Sequence, residues 1–506
     1  MTWENALPLL LVFSSLIPGL IIFALREDED RPIRTSLNVL GALLKFVFII
    51  MVVQRLSVID GPPVETRISL LPQFDLLLRA DNLSILFVTL SAVLWLVTTL
   101  YAIGYLEDSP HRSRFFGFFS LCVSATMGIA LAGNLFTFFI FYELLTLCTY
   151  PLVVHWGTDK ALRGGRTYLI YTLTGGAVLL LAMIWLHSLA APLSIPLEFA
   201  HTGAVAELAQ THGDTLKIIF FMFMIALGVK TAFVPIHGWL PRAMVAPAPV
   251  SALLHAVAVV KAGAFGIVRL VYDLYGVEVA QTLGLLQVLL VVACTTVIVG
   301  SVIALFQDDM KKRLAYSTVS QVSYIVIGVS LFGPVGSVGG LIHLVHQGVM
   351  KITLFFGAGN FAKTLGVYKI SKMDGIGRQM PWTMASFTIG SLGMIGVPLT
   401  AGFISKWFLG AGALDAGQDW VVGVLVLSSL LNAGYFLPLI YRGWFKPPQE
   451  EWKRKIECQD GWESHKLLVL PPVITAVFTL ILGIFVNMPI GLLHWVEIIV
   501  NLEYGR

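Results

Sequence analysis

The sequence predicts an all-α polytopic membrane protein of about fourteen transmembrane helices. Three observations carry this expectation. Of 506 residues, 57% are hydrophobic and 12% charged, with a mean hydropathy of +0.83; soluble chains carry about 25% charged residues. Apolar runs of about 20 residues, the length that crosses a bilayer, recur along the whole chain. These runs are continuous and do not alternate, which argues against a transmembrane β-barrel.

The expected spans, in order, are 6–25, 37–58, 80–105, 114–132, 134–155, 166–190, 215–239, 246–271, 281–305, 315–332, 338–362, 383–411, 419–441 and 467–495. The first follows Glu4 and has no basic n-region, so it reads as a permanent span and not as a cleavable signal. Basic residues test the count. With the N-terminus outside, 22 of the 33 Lys and Arg residues fall on the cytoplasmic side, among them Lys453, Arg454 and Lys455. The opposite side holds Arg67, Arg79, Lys217 and Arg506, with Arg55 and Arg269 able to snorkel there. This asymmetry places both termini outside, and one miscounted span would scramble it.

The loops are short. The largest polar segments, 58–79, 190–215 and 442–466, contain no Gly-rich phosphate loop, metal-ligand cluster or nucleophile motif, so neither a cofactor nor a catalytic or metal site is expected. Cys122, Cys148, Cys294 and Cys458 form no CxxC pair and read as small apolar residues. A net charge of +3 is too small to suggest a nucleic-acid partner. The lipid bilayer is the surrounding partner.

Three spans look interrupted. Span 7 carries Pro235 and Pro241 after Lys230, span 8 opens on Pro247 and Pro249, and span 12 carries Gly396, Pro398 and Gly402 before Lys406. Proline inside a helix removes a hydrogen bond and clashes with the preceding turn. The freed backbone groups must then be buried or line a hydrated cavity. Spans 7 and 12 lie five apart, and each pairs a break with a lysine. That spacing suggests two five-helix repeats, 114–272 (spans 4–8) and 281–446 (spans 9–13). Residues 1–113 (spans 1–3) precede them, and 447–506 supplies a polar loop and the last span. Discontinuous helices in corresponding halves are the signature of inverted-repeat transporters.

Five ionisable residues sit near the middle of apolar runs: Glu143, Lys230, Lys261, Lys351 and Lys406. A charge at that depth costs about 2.5–3.5 kcal/mol on insertion scales. Lysine suits a proton relay because burial disfavours its charged form and brings proton release into the physiological range. A carboxylate beside it makes a switch: separation favours release and closure favours uptake. Glu143 with Lys230 is the candidate pair, Lys261 the central carrier and Lys406 the exit-side carrier. Lys351, His255, His343 and His346 are placed to bridge them, with hydroxyls such as Ser251, Thr231, Ser317, Thr318, Ser320 and Thr353 holding connecting waters.

Plainer readings compete. A lone intramembrane lysine often only holds helices together, and Lys45, about eight residues into its span, fits that role. The histidines fit core roles equally well, and His237 fits a backbone-orienting one. The cluster from Gln307 to Arg313 reads as a solvated loop, and the run FFGFFS (115–120) as a packing surface. Asp75 and Asp81 lie near an interface, where an entrance and an ordinary surface are equally good readings.

At these residues the chain resembles a known family. The stretches VKTAFVPIHGWLPRAMVAPAPVSALLHAVAVVKAG (229–263), QDDMKKRLAYSTVSQVSYIVIG (307–328), KITLFFGAG (351–359) and IGVPLTAGFISKW (395–407) are similar to the antiporter-like proton-translocating subunits. That family includes membrane-arm subunits of respiratory complex I, subunits of membrane-bound hydrogenases, and the A and D subunits of Mrp-type sodium/proton antiporters. The resemblance implies fourteen helices with two inverted five-helix repeats and broken helices 7 and 12. It matches Glu143 to the helix-5 glutamate, Lys230 to the helix-7 lysine, Lys261 to the helix-8 lysine and Lys406 to the helix-12 position, where lysine is the Mrp D form. One departure stands out. The family pattern has a histidine four residues before the helix-11 lysine, where this chain has Gln347, with His346 one position earlier. The long lateral helix of the longest complex I relatives is not expected.

The expected function is therefore proton translocation inside a multi-subunit cation/proton antiporter of the Mrp D type. Proton flow would be coupled to Na⁺ or K⁺ movement, beside other membrane subunits, in a bacterial or archaeal plasma membrane. Two alternatives stay open: a proton-pumping subunit of a redox-driven complex, and a scaffold that transports nothing.

Overall fold

A continuous apolar run in lipid can satisfy its backbone only within itself, so it folds as helix. The computed structural model describes residues 3–27, 29–56, 64–71, 74–106, 109–201, 203–448, 462–488 and 491–505. Its helices are α1 (Leu7–Phe23), α2 (Arg31–Leu56), α3 (Asn82–Tyr105), α4 (Arg112–Ala130), α5 (Leu135–Val153), α6 (Asp159–Ala190), α7 (Ala206–Thr231), α8 (Trp239–Arg242), α9 (Ala248–Ala256) and α10 (Val259–Arg269). They continue as α11 (Val277–Thr282), α12 (Leu285–Leu305), α13 (Met310–Ser330), α14 (Pro334–Asn360), α15 (Ile376–Gln379), α16 (Pro381–Ile395), α17 (Ala401–Asp415), α18 (Asp419–Trp444), α19 (Lys466–Ile484) and α20 (Leu492–Glu503). Among the described residues, 11 helical stretches are long and apolar enough to cross a membrane. Outside that set, α1 has 17 residues, α13 carries many hydroxyls, and span 12 is divided into α16 and α17 of 15 residues each.

Burial orders the bundle. Every residue of Ala248–Tyr275 and nearly every residue of Pro334–Leu365 is buried, whereas the apolar windows of α2 and α18 are only 33% buried. The two innermost elements are thus those that carry Lys261 and Lys351, and the outer helices turn most of their apolar surface outward, as a bilayer requires. Helix starts are fixed locally: Asp81 accepts from Ser84 N, Asn134 from Thr137 N, and Asp309 from Lys312 N, each an N-cap on an otherwise orphaned donor.

The polar segment 58–79 contains a hairpin that was not expected. Strands β1 (Val64–Leu71) and β2 (Phe74–Ala80) pair antiparallel from Val64↔Ala80 to Leu71↔Phe74, with an irregularity between Ser69 and Leu71. Leu77 and Leu78 are buried beneath it, and Arg79 N donates to Leu131 O at 2.7 Å. Charges clamp its outer side. Glu198, from the α6–α7 connection, accepts from Arg67 at 2.7 Å and Arg79 at 2.6 Å, while Glu65 accepts from Arg79 at 2.9 Å. Burial alone would raise the Glu198 carboxyl pKa, but the two arginine hydrogen bonds outweigh it and hold the group below the usual carboxylate range.

Three expectations change in detail. The last span, expected at 467–495, stops at Ile484, and a separate helix, α20, follows from Leu492. Pro247 does not break span 8: it is the residue before α9, where proline is well tolerated. The interruption falls at Val257–Ala258, whose φ/ψ of −129°/−55° and −90°/−93° leave the helical region. The cluster from Gln307 to Arg313 is not a solvated loop. Lys311 turns inward to Ala246 O at 2.7 Å, and Arg313 donates to Gln307 O at 2.9 Å and Tyr435 O at 3.0 Å. Cys122, Cys148 and Cys294 are buried and free; Cys458, Lys453, Arg454, Lys455 and Arg506 lie outside the described residues.

Candidate functional site

The buried amines are reached from both sides of two helix breaks. In span 7 the helix ends at Thr231, Ala232 turns into the left-handed region at φ 65°, and a cis Val234–Pro235 bond follows. Lys230 thus stands in the last turn of α7, where a helix C-terminus favours a cation. In span 12 the order is reversed. Helix α16 ends at Ile395, Gly396 takes φ 92° and Leu399 φ 71° around Pro398, and Lys406 comes six residues into the next helix. From there it reaches back across the break. Its Nζ donates to Met394 O at 3.1 Å, Ile395 O at 2.8 Å and Ser429 Oγ at 3.0 Å. The break frees the last carbonyls of α16, and the ammonium caps them.

Lys230 and Glu143 are neighbours without an ion pair. Lys230 Nζ donates to the carbonyl of Tyr142, the residue next to Glu143, and lies 3.3 Å above the Tyr142 ring. Among the described residues no salt bridge joins Lys230 to Glu143, and Glu143 Oε1 is buried without a hydrogen-bond partner. Gly176 of α6 makes room for this carboxylate: a Cβ there would overlap it.

Lys261 and Lys351 are both completely buried. Lys261 Nζ donates to Leu344 O of α14 at 2.6 Å, so the central carrier is held by the central helix. Lys351 Nζ donates to Ser317 Oγ at 2.8 Å, and that hydroxyl lies 3.1 Å from Tyr435 Oη. Tyr435 Oη donates in turn to Asn432 Oδ1, and Asn432 Nδ2 reaches Met394 O at 3.3 Å. That carbonyl is one of the three acceptors of Lys406. A continuous set of hydrogen bonds therefore joins Lys351 to Lys406 through α13 and α18.

The histidines divide. His343 bridges helices: Nδ1 meets Ser405 Oγ at 2.8 Å and Nε2 meets Gln321 O at 3.1 Å. Its ring lies against Tyr324 at 5.1 Å, and Lys406 Nζ is 5.4 Å from that same tyrosine ring. His255 bonds no lysine; its Nε2 faces Met244 Sδ at 3.2 Å and its ring stacks on Phe355 at 4.5 Å. His346 Nδ1 is buried without a hydrogen-bond partner, as are both amide atoms of Gln347 and of Gln321.

Of the hydroxyls singled out in the sequence, Ser317 joins the network, whereas Thr231, Thr318 and Thr353 each bond a carbonyl four residues back. The connecting residues that sequence reasoning missed are Tyr142, Tyr324, Asn432 and Tyr435. A lone asparagine in the apolar run SSLLNAGYFL was the available signal for the last two. Lys45 holds helices together, donating to Ser15 and lying 4.0 Å over Trp95. Asp75 pairs with Arg67 at 3.2 Å and Asp81 with Arg269 at 2.8 Å.

Comparison with known proteins agrees with this architecture. Residues 132–432 match the family described as NADH:quinone oxidoreductase/Mrp antiporter, TM, and residues 72–116 match the N-terminus of complex I chain 5. The chain is 32% identical over 425 residues to the N subunit of NADH-quinone oxidoreductase from Desulforudis audaxviator, covering 82% of this chain and 83% of that one. It is 27% identical over 485 residues to the D subunit of the Na(+)/H(+) antiporter from Alkalihalophilus pseudofirmus, covering 94% and 93%. Among solved structures, a chain of the Mrp complex from Dietzia sp. superposes with a TM-score of 0.85 at 23% identity, over 100% of this chain and 98% of the other. A chain of an archaeal membrane-bound sulfane sulfur reductase gives 0.84 at 22%, over 99% and 98%. The chain belongs to the NADH:quinone oxidoreductase/Mrp antiporter transmembrane family, as a polytopic helical homologue of the Mrp-type D subunits and of the complex I antiporter-like subunits.

Proposed function

We propose that this chain is the proton-translocating subunit of a multi-subunit monovalent cation/proton antiporter of the Mrp D kind. The observation that carries the reading is the set of amines inside the bundle, Lys230, Lys261 and Lys351 buried and Lys406 half-buried, with Glu143 beside Lys230. Groups so costly to bury are placed where charge must move. Protons would pass between Glu143 and Lys230, then by Lys261 toward Lys406. His343 serves the second half through Nδ1, which meets the Ser405 hydroxyl, while its Nε2 is held on the Gln321 carbonyl. Amines and hydroxyls hand protons on readily, whereas an amide and a backbone carbonyl do not. Ser317 and Tyr435 thus extend the conducting part from Lys351, while Asn432 and Met394 O hold Lys406 in place at its end. The buried, unpartnered amide atoms of Gln321 and Gln347 would hold waters that connect these groups. His255 and His346 act, in this reading, as second-rank groups beside the route.

The coupled ion is Na⁺ or K⁺, exchanged with the help of neighbouring membrane subunits. The face bearing the hairpin and both termini is assigned to the outside of a bacterial or archaeal plasma membrane, because the opposite face carries most of the Lys and Arg residues. Spans 4–8 and 9–13 are assigned as the two inverted repeats, each with a lysine beside a break, Lys230 in span 7 and Lys406 in span 12.

The test is cation-driven ΔpH across inverted vesicles containing the native complex, with no electron donor, comparing wild type with an equally assembled Lys261→Ala variant. A Na⁺- or K⁺-dependent signal lost in the variant supports the antiporter. The 32% identity to a quinone oxidoreductase subunit favours a second reading, a pump driven by electron transfer elsewhere. That reading requires a signal that appears only when a donor is added. Full transport in the variant would leave a scaffold role.

A further inference from the structure

A second charged cluster lies far from the amine line, at the hairpin face, where three distant parts of the chain meet. His201 comes from the α6–α7 connection, Asp273 from the wide helical turn Leu270–Tyr275 after α10, and Glu503 from the end of α20. His201 Nδ1 is 2.6 Å from Glu503 Oε1. Donor atoms of all three residues lie within 4.8 Å of one another. The carboxylates are buried, with side chains 0% exposed for Glu503 and 2% for Asp273, while His201 is 47% exposed. Glu503 Oε2 is buried and has no hydrogen-bond partner among the described residues.

The local charge is unbalanced. Arg269 pairs with Asp273 at 2.9 Å and with Asp81 at 2.8 Å, so one guanidinium already serves two carboxylates. Glu503 adds a third, whose cationic partner is His201 alone and only while that imidazole is protonated. An uncompensated buried carboxylate is costly, and a bound cation is one of the few ways to keep it.

We propose that His201, Asp273 and Glu503 form a binding site for a divalent transition metal of the zinc class. An imidazole nitrogen with two carboxylate oxygens suits zinc and its neighbours, whereas magnesium and calcium prefer oxygen alone. In a tetrahedral site with bonds of about 2 Å, neighbouring donors stand roughly 3.3 Å apart. That separation falls between the 2.6 Å of the His201–Glu503 contact and the 4.8 Å outer limit of the cluster, so side-chain adjustment suffices. The exposed side of His201 leaves the route of entry and a fourth position for water. Loaded, the site would staple α20 onto the bundle. It would reinforce the contacts already made by Trp495 Nε1 to Asn82 O at 3.0 Å and by Tyr504 Oη with Ser337 Oγ at 3.0 Å.

The test uses the whole complex, stripped with chelator and dialysed against Zn²⁺ or, in parallel, Mg²⁺. Bound metal is counted by mass spectrometry in wild type, His201→Ala and Glu503→Gln. The expected result is one more zinc per complex in wild type than in either variant, with no such difference for magnesium. Equal zinc in all three would overturn the proposal. If a variant does not assemble, electron cryo-microscopy of the wild-type complex with Zn²⁺ and with chelator decides: metal density between the three donors supports the site, and its absence refutes it. Binding is read directly, so the result is independent of the proton relay.

Discussion

Lys406 and Asn432 donate to the same carbonyl: Lys406 Nζ lies 3.1 Å and Asn432 Nδ2 3.3 Å from Met394 O. An acceptor with two lone pairs at the free end of α16 thereby couples an ammonium to a side-chain network that ends on a second lysine, Lys351. The outer helix α18 supplies the link, although most of its surface faces away from the core.

Tyr435→Phe tests that link. The change removes the hydroxyl shared by Ser317 and Asn432 but keeps the ring beside Phe436, 4.7 Å away. Asn432 Oδ1 loses its donor, which costs about 1–3 kcal/mol for a buried group. The expected outcome is a folded, assembled complex with slower cation-driven ΔpH. An unchanged rate at equal assembly would remove α18 from the route.

Replacing the amines should separate carriers from props. Glu143→Ala, Lys230→Ala and Lys261→Ala are each expected to abolish transport in complexes that still assemble. Lys45→Met should leave both transport and assembly intact. Among the described residues the Lys45 ammonium meets Ser15 and the Trp95 ring, and exchanging a buried charge for an apolar chain of similar volume is often neutral or stabilising. Vesicle ΔpH and subunit co-purification measure both. Loss of assembly in the first three would make those charges structural.

The burial of the amines was legible because a lysine in a run such as LLHAVAVVKAGAFG cannot face lipid, and Lys261 is indeed buried. The breaks at Pro235 and Pro398 were legible for the same kind of reason, since proline announces itself. The break at Val257–Ala258 was not: AVAVV carries no Pro or Gly and reads as an unbroken helix. The hairpin hid because LLL (76–78) spoils the alternation of β2. Lys311 and Arg313 looked like solvated loop charges because nothing in a sequence says that a side chain will turn inward to carbonyls 65 residues away, as Lys311 does to Ala246. His201, Asp273 and Glu503 belong to no spacing motif and meet only in three dimensions.

Acid should loosen the hairpin clamp. The Glu198 pKa is held below its ordinary value in the folded chain, so the folded state favours the carboxylate. The stabilisation is therefore present above the unfolded carboxyl value, about 4.3, and is lost as pH falls through the lower folded value. The hydrogen-exchange protection of the β1 and β2 amides, relative to their intrinsic rates, should fall below about pH 4, and Glu198→Gln should show reduced protection already at neutral pH. Equal protection of wild type and variant at neutral pH would mean that Arg67 and Arg79 hold the hairpin through Glu65 and Asp75 alone.

Two adjacent glycines of α6 should give opposite phenotypes. A Cβ at Gly176 would overlap the Glu143 carboxylate, the mobile end of a side chain that can swing aside. Gly176→Ala therefore costs little stability, and the added helix propensity of alanine offsets part of that cost. It does displace the carboxylate from its place beside Lys230, so transport should fall. A Cβ at Gly175 would instead stand 3.2 Å from Ala226 O and 3.2 Å from Val229 Cβ of α7, atoms that move only with their helix. Gly175→Ala should lower stability by about 1–3 kcal/mol through overpacking and leave the Glu143 carboxylate where it is. Thermal unfolding and vesicle ΔpH, measured on both, separate the two effects. A Gly176→Ala complex that unfolds early but transports normally would place Glu143 outside the proton route.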